Sequence, residues 1–469
     1  MTIEKCPRIS VIGLGKLGAS MAAAFAERGL EVIGVDVSRQ AIDAVNVGKA
    51  PIHETNLGET IARNKERIRA TESHEEAVLN SDISFVVVPT PSDERGAFSL
   101  QYAEWAFKEL GKAIGRKSGY HNVALTSTVL PGSIRQALLP ILERESGKKA
   151  GRDFGLCYSP EFIALGSIIR DFLNPDFTLV GELDEKCGDQ IVAVYSRTMG
   201  PDTPCARMSL ENAELTKIAV NTYVSTKMTF ANMLAEVCEK IPGGDVDAVT
   251  NALGLDKRVG RKCLTGSIGY GGPCFPRDNA ALAFISRKLG VEASLAETTD
   301  SMNRAIAARI SARILPMVRK GATVAVLGLA YKPSSHVIEE SQGVYIAQQL
   351  SMNGVRVIAF DPMSKEMEIE DLRRHIVVLD SLDECLRQAE VVIITTPDPV
   401  FAELTAANFK NGWAEVLVFD CWRILKEKLL GQPNIKYIAV GTSDDDVTNT
   451  ARLKDLWRGK SGEALSTRK

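Results

Sequence analysis

The stretch that decides the fold is residues 9–36, ISVIGLGKLGASMAAAFAERGLEVIGVD. A short β-branched run over residues 8–12 leads into a glycine-rich turn, which is followed by a segment of helical composition over 19–28 and a second apolar run over 31–35. A Gly-x-Gly-x-x-Gly sequence between a strand and a helix is typical of a dinucleotide-binding turn. The stretch therefore predicts a βαβ unit that binds a dinucleotide.

Each glycine of this turn has its own use. Gly13 permits the tight turn, Gly15 lets backbone N–H groups approach a pyrophosphate, and Gly18 allows the helix to pack closely on the strand. The amino end of the helix then presents unpaired N–H groups to the anion. Asp36 ends the second strand, where its carboxylate can accept hydrogen bonds from the adenosine ribose and would repel a 2′-phosphate. We therefore expect NAD rather than NADP.

Beyond this turn, strands and helices alternate in both halves of the chain. Such alternation predicts a mostly parallel, doubly wound sheet in each half. The predicted strands are residues 8–12, 31–35, 83–88, 123–125 and 178–180 in the first half, and 323–327, 355–360, 391–395 and 416–419, the last one, in the second. The helical stretches are 41–47, 58–68, 103–114, 134–145 and 343–352.

A long helix separates the two halves. Residues 210–240 contain neither proline nor glycine, and apolar residues recur at helical spacing. A helix that joins two α/β halves often lies where two subunits meet, so we expect a homodimer. The predicted fold class is α/β, with two doubly wound Rossmann-like domains joined by a long central helix and a helical middle domain. The predicted domains are 1–207 for NAD, 208–315 for the helical centre, 316–445 for the second Rossmann-like domain, and 446–469 as a polar, loosely held tail.

Composition excludes several other classes of protein. The chain has 469 residues, 45% of them hydrophobic and 25% charged, which is ordinary for a globular protein of two or three domains. A net charge of −3 does not favour binding to nucleic acid or to anionic lipid. No apolar run approaches the roughly 20 residues of a membrane-spanning helix. Nine cysteines without Cys-x-x-Cys pairs favour a reducing cytoplasm, and five dispersed histidines predict no metal site.

The most informative chemistry lies in residues 269–278, GYGGPCFPRD. Three glycines and two prolines indicate a rigid loop, and residues 279–289 look helical, with Pro276 suited to the first turn. Cys274 then lies at a helix amino end, where the dipole stabilises a thiolate, and Asp278 lies four residues later on the same side. From these residues alone, a catalytic thiolate and a buried structural cysteine both remain open.

Other polar residues carry weaker signals. Lys217 and Asn221 share one face of the long helix, where they could form an oxyanion site, although these residues alone favour a solvated lysine. Glu161 is an isolated acid in a loop. Lys332 follows a strand that ends in Gly328, beside the place where a parallel sheet binds phosphate groups.

Taken together, these motifs resemble the UDP-glucose/GDP-mannose dehydrogenase family from Ile9 to about Gly441. Members of this family oxidise C6 of a nucleotide sugar from alcohol to carboxylate with two NAD⁺. The matching elements are the glycine turn with Asp36, Pro89-Thr-Pro91, Ser127-Thr128-Val, Ser159-Pro-Glu161-Phe, Ala213-Glu-Leu-Thr-Lys217 with Asn221-Thr-Tyr, the cysteine loop, and Gly328-Leu-Ala-Tyr-Lys332-Pro.

The resemblance implies roles for particular residues. Cys274 resembles the nucleophile that forms a thiohemiacetal and then a thioester, and Lys217 with Asn221 the pair that stabilises the oxyanion. Asp278 would position or activate a water and hold Lys217, Glu161 would assist thioester hydrolysis, and Thr128 would hydrogen-bond the water. The implied NAD contacts are Gly13, Gly15, Lys16, Leu17, Gly18, Asp36, Arg39, Pro89, Thr90 and Thr128. The implied substrate contacts are Phe162, Lys217, Asn221, Arg258 (in some members from the neighbouring subunit), Tyr270, Gly271, Lys332 and Arg423.

The chain departs from the family pattern at three places. Leu165 stands where many members have a second acid, so hydrolysis is expected to depend more on Glu161 and Asp278. His336-Val and Glu339-Glu-Ser-Gln342 replace an acidic pair and Arg-Glu-Ser-Pro, and Pro273 replaces serine or histidine. These positions leave UDP-N-acetylhexosamines, UDP-galactose and GDP-mannose open beside UDP-glucose, the branch that Cys274-Phe-Pro-Arg-Asp resembles most. Two other functions also remain open: a single-step β-hydroxyacid-type dehydrogenase and a non-catalytic nucleotide-sugar sensor.

Overall fold

The chain divides into two compact units. The computed structural model describes residues 6–93, 95–163, 165–409, 412–443 and 445–458. The first unit comprises Met1–Val220 with Phe284–Val291, and the second comprises Asn221–Ala283 with Glu292–Lys469. The long predicted helix, α9 (Leu210–Cys238), begins in the first unit and ends in the second. The finer division into three domains stays a prediction.

The first unit is built on an eight-stranded sheet. Its strand order is β3-β2-β1-β4-β5-β6-β7-β8, and every neighbouring pair is parallel except β6 with β7. The strands are β1 (Ile9–Ile12), β2 (Val32–Val35), β3 (Ile68–Thr71), β4 (Ile83–Val86), β5 (His121–Leu125), β6 (Phe154–Tyr158), β7 (Thr178–Glu182) and β8 (Cys205–Ser209). The central strands are buried along their whole length, as parallel strands covered on both faces must be. The predicted doubly wound domain is confirmed.

Helices cover both faces of this sheet. They are α1 (Lys16–Glu27), α2 (Arg39–Asn46), α3 (Leu57–Arg63), α4 (His74–Asn80), α5 (Gln101–Arg116), α6 (Leu139–Ser146), α7 (Ile168–Leu173) and α8 (Glu185–Met199), with a π-helical turn at Ile134–Leu138 before α6. The helical prediction over 58–68 is wrong at its end, because α3 stops at Arg63 and Ile68 begins an edge strand. An edge strand pairs on one side only and alternates buried with exposed residues, so its apolar signal is weak.

The second unit has a six-stranded parallel sheet of order β11-β10-β9-β12-β13-β14. Its strands are β9 (Thr323–Leu327), β10 (Arg356–Phe360), β11 (Val377–Val378), β12 (Val391–Ile394), β13 (Val416–Asp420) and β14 (Ile435–Ala439). The second doubly wound domain is therefore confirmed. The prediction that residues 416–419 form the last strand is wrong, since β14 follows and pairs with β13 along five residues.

Helices precede and flank this second sheet. They are α10 (Val246–Leu255), α11 (Phe275–Lys288), α12 (Ser294–Ile314), α13 (Gln342–Met352), α14 (Leu382–Gln388), α15 (Pro399–Ala402), α16 (Lys426–Leu429) and α17 (Asp446–Arg458). The prediction of a loosely held tail is wrong for residues 446–458: in α17 the buried Asn449 donates to the carbonyl of Glu239 at 2.9 Å. The rest of the predicted tail, 459–469, lies outside the described residues. No helix within the described ranges is long and apolar enough to cross a bilayer.

Candidate active site

The glycine turn of the first unit has the backbone that the sequence predicts. Gly13 has φ of +101°, and a Cβ there would lie 2.2 Å from the carbonyl oxygen of Val87. A Cβ on Gly18 would lie 1.9 Å from the carbonyl oxygen of Gly13. Both positions therefore require glycine, one for its left-handed backbone and close approach, the other for the packing of α1 on the turn.

Gly15 differs from these two, because it is exposed and has open space around it. A Cβ at Gly15 would meet no atom within 4 Å, and α1 begins at the next residue. We call this open space beside Gly15, at the amino end of α1, the cradle. A side chain at residue 15 would fill it, and its position at a helix amino end fits a pyrophosphate. Asp36 is partly exposed; its carboxylate accepts the N–H of Leu14 at 2.7 Å and that of Ser38 at 2.8 Å. These bonds orient the carboxylate at the end of β2, where it fits the ribose of a dinucleotide.

The remaining predicted cofactor residues lie around the carboxyl ends of the strands and in the first turns of α1 and α2. The buried Thr90 donates from Oγ1 to the carbonyl of Thr128 at 2.7 Å, which joins the loops after β4 and β5. Lys16 and Leu17 are partly exposed in α1, and Pro89 is exposed. Arg39 is exposed and pairs with Asp43 at 3.2 Å. Their contacts with NAD stay predictions.

Lys217 and Glu161 meet in the first unit. Lys217, on α9, is buried, and its Nζ donates to the backbone carbonyl of Glu161 at 2.6 Å. The same ammonium lies 4.4 Å from the ring centroid of Phe162, a cation–π distance. The lysine is therefore held inward, and the solvated lysine left open by the sequence is excluded.

The carboxyl group of Glu161 has a partner that the sequence did not reveal. The hydroxyl of Tyr195, on α8, donates to Oε1 of Glu161 at 2.9 Å, and it also hydrogen-bonds with the hydroxyl of Ser159. Burial of the carboxyl raises the pKa of Glu161 to about 7, although the Tyr195 hydrogen bond and the Lys217 charge act in the opposite direction. A carboxyl with this pKa can gain or lose a proton near neutrality.

Glu214 ties the loop that carries Thr128 to the long helix. It is fully buried one turn before Lys217, and it accepts the N–H of Gly132 at 2.6 Å and that of Ile134 at 2.8 Å. Burial raises the pKa of Glu214 to about 7, while the two N–H donors oppose the shift. Glu214 therefore acts as a cap at the amino end of the π-helical turn.

Cys274 and Asp278 lie at the amino end of α11, in the second unit. Cys274 is exposed and immediately precedes the helix, and its carbonyl accepts the N–H of Asp278 at 2.9 Å. The Asp278 side chain is 1% exposed and accepts a hydrogen bond from Nδ2 of Asn221 at 2.6 Å. The buried structural cysteine left open by the sequence is therefore excluded. Asn221 and Asp278, both predicted site residues, contact each other directly.

The cysteine loop is fastened at Tyr270 by residues that the sequence reading missed. Asn303 on α12 accepts the Tyr270 N–H at 2.8 Å and donates to the Tyr270 carbonyl at 2.9 Å. The phenol oxygen accepts from Asn279 at 2.9 Å, and Asn279 also bonds Ser225 of α9. A signal for Asn303 existed: it is an amide on the buried apolar face of α12, where an unpaired polar group is costly.

The other predicted substrate contacts are spread over the second unit. Tyr270 is buried with its hydroxyl engaged, and a Cβ at Gly271 would lie 2.4 Å from the carbonyl oxygen of Glu340. Arg258 is exposed and pairs with Asp256 at 2.6 Å, and Lys332 is partly exposed. Arg423 is buried, with φ of +63°, and its Nε donates to Asp247 at 2.7 Å. Contact of these residues with a substrate stays a prediction.

The end of β9 repeats one feature of the first turn, a glycine with a left-handed backbone. Gly328 has φ of +106°, and the carboxylate of Asp361 accepts the N–H groups of Leu329 at 2.7 Å and Ala330 at 3.0 Å. Asp361 is 3% exposed, and burial raises the pKa of its carboxyl. Its carboxylate is thus enclosed by its own loop, unlike that of Asp36. Within the described ranges, no group of three or more His, Cys, Asp or Glu side chains could hold a metal ion.

Three segments of the chain match the domains of one known family. The NAD binding domain of the UDP-glucose/GDP-mannose dehydrogenase family matches residues 7–199, its central domain matches 211–305, and its UDP binding domain matches 325–427.

Individual relatives match over nearly their whole length. UDP-glucose 6-dehydrogenase AglM of Haloferax volcanii is 33% identical over 428 residues, which cover 90% of this chain and 97% of that protein. GDP-mannose 6-dehydrogenase of Azotobacter vinelandii is 33% identical over 413 residues, covering 85% of this chain and 93% of that protein. A solved structure, the UDP-glucose dehydrogenase from Pyrobaculum islandicum, has a TM-score of 0.83 and 32% identity, covering 94% of this chain and 99% of that one.

Proposed function

Because the chain belongs to the UDP-glucose/GDP-mannose dehydrogenase family, we propose that it oxidises C6 of UDP-glucose from the alcohol to the carboxylate. As a member it is a nucleotide-sugar 6-dehydrogenase whose cofactor is NAD. The observation that carries the proposal is the position of Cys274, exposed at the amino end of α11, one turn before the buried Asp278.

The glycine turn of the first unit would hold the cofactor. Backbone N–H groups beside Gly15 would bind its pyrophosphate, and Asp36 its adenosine ribose, as the open cradle and the oriented carboxylate suggest. NAD bound there supplies the hydride acceptor for both oxidations. Thr90 and Thr128 would line the same edge of the sheet, since their loops are joined by a hydrogen bond.

Cys274 is the nucleophile of this proposal. After the alcohol has become an aldehyde, the thiolate attacks C6, a C–S bond forms, and the carbonyl electron pair moves onto oxygen as a thiohemiacetal anion. Lys217 and Asn221, one turn apart on α9, stabilise that oxyanion. Loss of a second hydride from C6 leaves a thioester, so the aldehyde is never released.

Hydrolysis of the thioester completes the reaction. Water attacks the carbonyl carbon and passes a proton to Glu161, whose pKa of about 7 suits a base at neutral pH. The C–S bond breaks, and its electron pair leaves with the sulfur of Cys274. Thr128 would hydrogen-bond the attacking water, and Asp278 would orient it.

UDP-glucose is proposed over other sugars because Cys274-Phe-Pro-Arg-Asp278 resembles that branch of the family. The relatives named above include both a UDP-glucose and a GDP-mannose 6-dehydrogenase at 33% identity. GDP-mannose, UDP-galactose and the UDP-N-acetylhexosamines are therefore the alternatives. Sugar and diphosphate contacts are proposed for Phe162, Arg258, Tyr270, Gly271, Lys332 and Arg423.

We further propose a cytoplasmic homodimer that meets through α9, without nucleic-acid or membrane partners. The exposed apolar residues Tyr223, Phe230 and Val237 recur every seven positions along this helix. A stripe with this spacing lies along one side of a helix and suits a helix from a second copy.

The test is a count of NADH per sugar. Purified protein is supplied with NAD⁺ and, separately, UDP-glucose, UDP-galactose, UDP-N-acetylhexosamines and GDP-mannose. Two NADH per sugar, with UDP-glucose fastest, is the expected result. One NADH would indicate a single-step dehydrogenase, and binding without turnover would indicate a sensor. Cys274→Ser should abolish acid formation and leave NAD affinity unchanged; unchanged turnover in that variant would remove the thiol from the mechanism.

A further inference from the structure

A short chain of buried hydroxyl groups ends at Glu161. Ser159 is fully buried, Tyr195 is 4% exposed, and their hydroxyl groups are hydrogen-bonded to each other. The phenol hydroxyl is also 2.9 Å from Oε1 of Glu161. Since β6 ends just before Ser159 and α8 carries Tyr195, the chain joins the sheet and a covering helix to the proposed base.

The hydrogen bonds in this chain have one direction when Glu161 is ionised. A carboxylate only accepts, so Tyr195 donates to Glu161, and the phenol oxygen is left to accept from Ser159. Burial raises the pKa of Tyr195, and the nearby Glu161 charge adds to this, so the phenol keeps its proton. Tyr195 is therefore a fixed donor and not a base.

The Tyr195 ring cannot move away from Glu161 easily. Its centroid lies 6.2 Å from that of Phe85 and 6.4 Å from that of Phe172, within a buried aromatic cluster. Glu161 is held at its other end as well, because Lys217 donates to its backbone carbonyl. With Oε1 engaged by Tyr195, Oε2 is the oxygen that is available to take a proton. Leu165, in the same loop, is apolar and cannot accept a proton in place of Glu161.

We propose that Tyr195 is a positioning residue for Glu161, fixing the carboxylate oxygen that accepts the proton of the attacking water during thioester hydrolysis. This inference rests on the proposed function. The step it affects forms a C–O bond from water to the thioester carbon, breaks the C–S bond to Cys274, and transfers one water proton to Glu161. No oxidant or reductant takes part, so the two hydride transfers are not expected to depend on Tyr195.

The test separates NADH formation from acid release. Tyr195→Phe keeps the ring and removes the hydroxyl, and Tyr120→Phe removes another buried phenol hydroxyl of the same unit, one that has no partner among the described residues. Single-turnover reactions with UDP-glucose, or GDP-mannose if the wild type prefers it, are followed by NADH absorbance and by quenched assay of the sugar acid across pH 5.5–9.

We expect Tyr195→Phe to form both NADH at rates close to wild type and to release acid about tenfold more slowly, because a positioned base contributes at least that much. The rise of acid release with pH should also move to higher pH, because the lost hydrogen bond favoured the ionised carboxylate. Ser159→Ala should shift the pH dependence of acid release in the same direction but by less, and Tyr120→Phe should leave it unchanged.

Two results would overturn the inference. One is an unchanged pH dependence of acid release in Tyr195→Phe; the other is an equal slowing of NADH formation and acid release, which would indicate general damage to the fold. If the wild type forms no NADH with any of the nucleotide sugars, the proposed function fails and the inference fails with it. A wild type that forms two NADH together with an unaffected Tyr195→Phe variant overturns the inference alone.

Discussion

Asn221 donates a hydrogen bond from Nδ2 to Oδ2 of Asp278 at 2.6 Å, and Asp278 is almost fully buried. A buried carboxylate that keeps its charge needs donors of this kind. The bond also fastens the first turn of α11, which Cys274 precedes, to α9. One side chain thus serves two purposes: it stabilises the fold locally and presents an amide at a predicted oxyanion site.

Replacing Asn221 by leucine should therefore cost both stability and activity. Loss of a hydrogen bond to a charged group lowers the free energy of unfolding by about 1.5–3 kcal/mol. Loss of an oxyanion donor lowers kcat by about 100-fold or more. Chemical denaturation and steady-state kinetics measure the two effects.

A remote amide provides the control for this prediction. Asn46 donates to the carbonyl of Ala70 at 2.9 Å and accepts its N–H at 2.7 Å. Asn46→Leu should lose a similar amount of stability and keep its kcat. If both variants lose kcat equally, Asn221 acts only through the fold.

The glycine turn allows a second prediction, in which substitutions at two of its glycines separate an effect on folding from an effect on NAD binding. Gly13→Ala places a methyl group 2.2 Å from the Val87 carbonyl at a positive φ, so it should lower stability as well as NAD affinity. Gly15→Ala meets nothing in the protein, so its unfolding midpoint should match the wild type. Its methyl group occupies the cradle, and NAD should bind about tenfold more weakly, a difference of about 1.4 kcal/mol. Calorimetric titration with NAD⁺ checks this, and equal affinity of Gly15→Ala and wild type would exclude the cradle as the pyrophosphate site.

Some features of the fold and of the candidate site can be predicted from the sequence, and others cannot. The glycine turn, the long α9 and the cysteine before α11 depend on residues close together in the chain, so their local patterns predict them. Tyr195 could not be found in this way. Its bond to Glu161 spans 34 residues and depends on how α8 packs on the sheet. The ion pair of Arg423 with Asp247 spans 176 residues.

Edge strands were missed for a related reason. In β8 every second residue is exposed and the sequence is Cys-Ala-Arg-Met-Ser, so no apolar run marks the strand. Its pairing with β7 is what makes it a strand. Such pairings arise from tertiary structure and leave little trace in local composition.

Glu214 gives a pH prediction with a defined sign. Its pKa is about 7 in the folded chain against an ordinary 4.5, so between these values the folded state binds more protons than the unfolded state. The contribution of Glu214 to stability is therefore fully present below pH 4.5 and is lost as pH rises through 7. The shift corresponds to about 3 kcal/mol.

Glu214→Gln removes this titration, so its free energy of unfolding should fall less than that of the wild type between pH 4.5 and 8. Urea denaturation at several pH values measures the difference. Glu211, on the same helix, provides the control, because hydrogen bonding to Arg135 lowers the pKa of its carboxyl. The contribution of Glu211 to stability is lost only as pH falls below 4.5, so Glu211→Gln should leave the pH dependence between 4.5 and 8 close to that of the wild type. Parallel curves for wild type and Glu214→Gln would contradict the assignment.

The exposed stripe of α9 leads to a prediction about assembly. Phe230 lies between Tyr223 and Val237, seven residues from each, and all three are exposed in the single chain. A charge placed in the middle of an apolar helix interface disrupts it, because the charge must lose its water. Phe230→Asp should therefore elute as a monomer, while the wild type and Met352→Asp, a change at an exposed residue of α13, should elute as dimers. A monomeric wild type would contradict the predicted dimer.

If the dimer forms, mixed subunits can test whether Arg258 acts across it, as the family resemblance implies. Arg258 is exposed, and among the described residues its side chain bonds only to Asp256. It could therefore leave Asp256 and reach the site of another subunit. Arg258→Ala and Cys274→Ser are each expected to be inactive alone. When equal amounts of the two variants are mixed and their subunits exchange, about a quarter of wild-type activity should return. Half of the dimers then contain one subunit of each variant, and each of these dimers holds one complete site. No recovery, despite exchange shown by tagged subunits, would place Arg258 in the site of its own subunit.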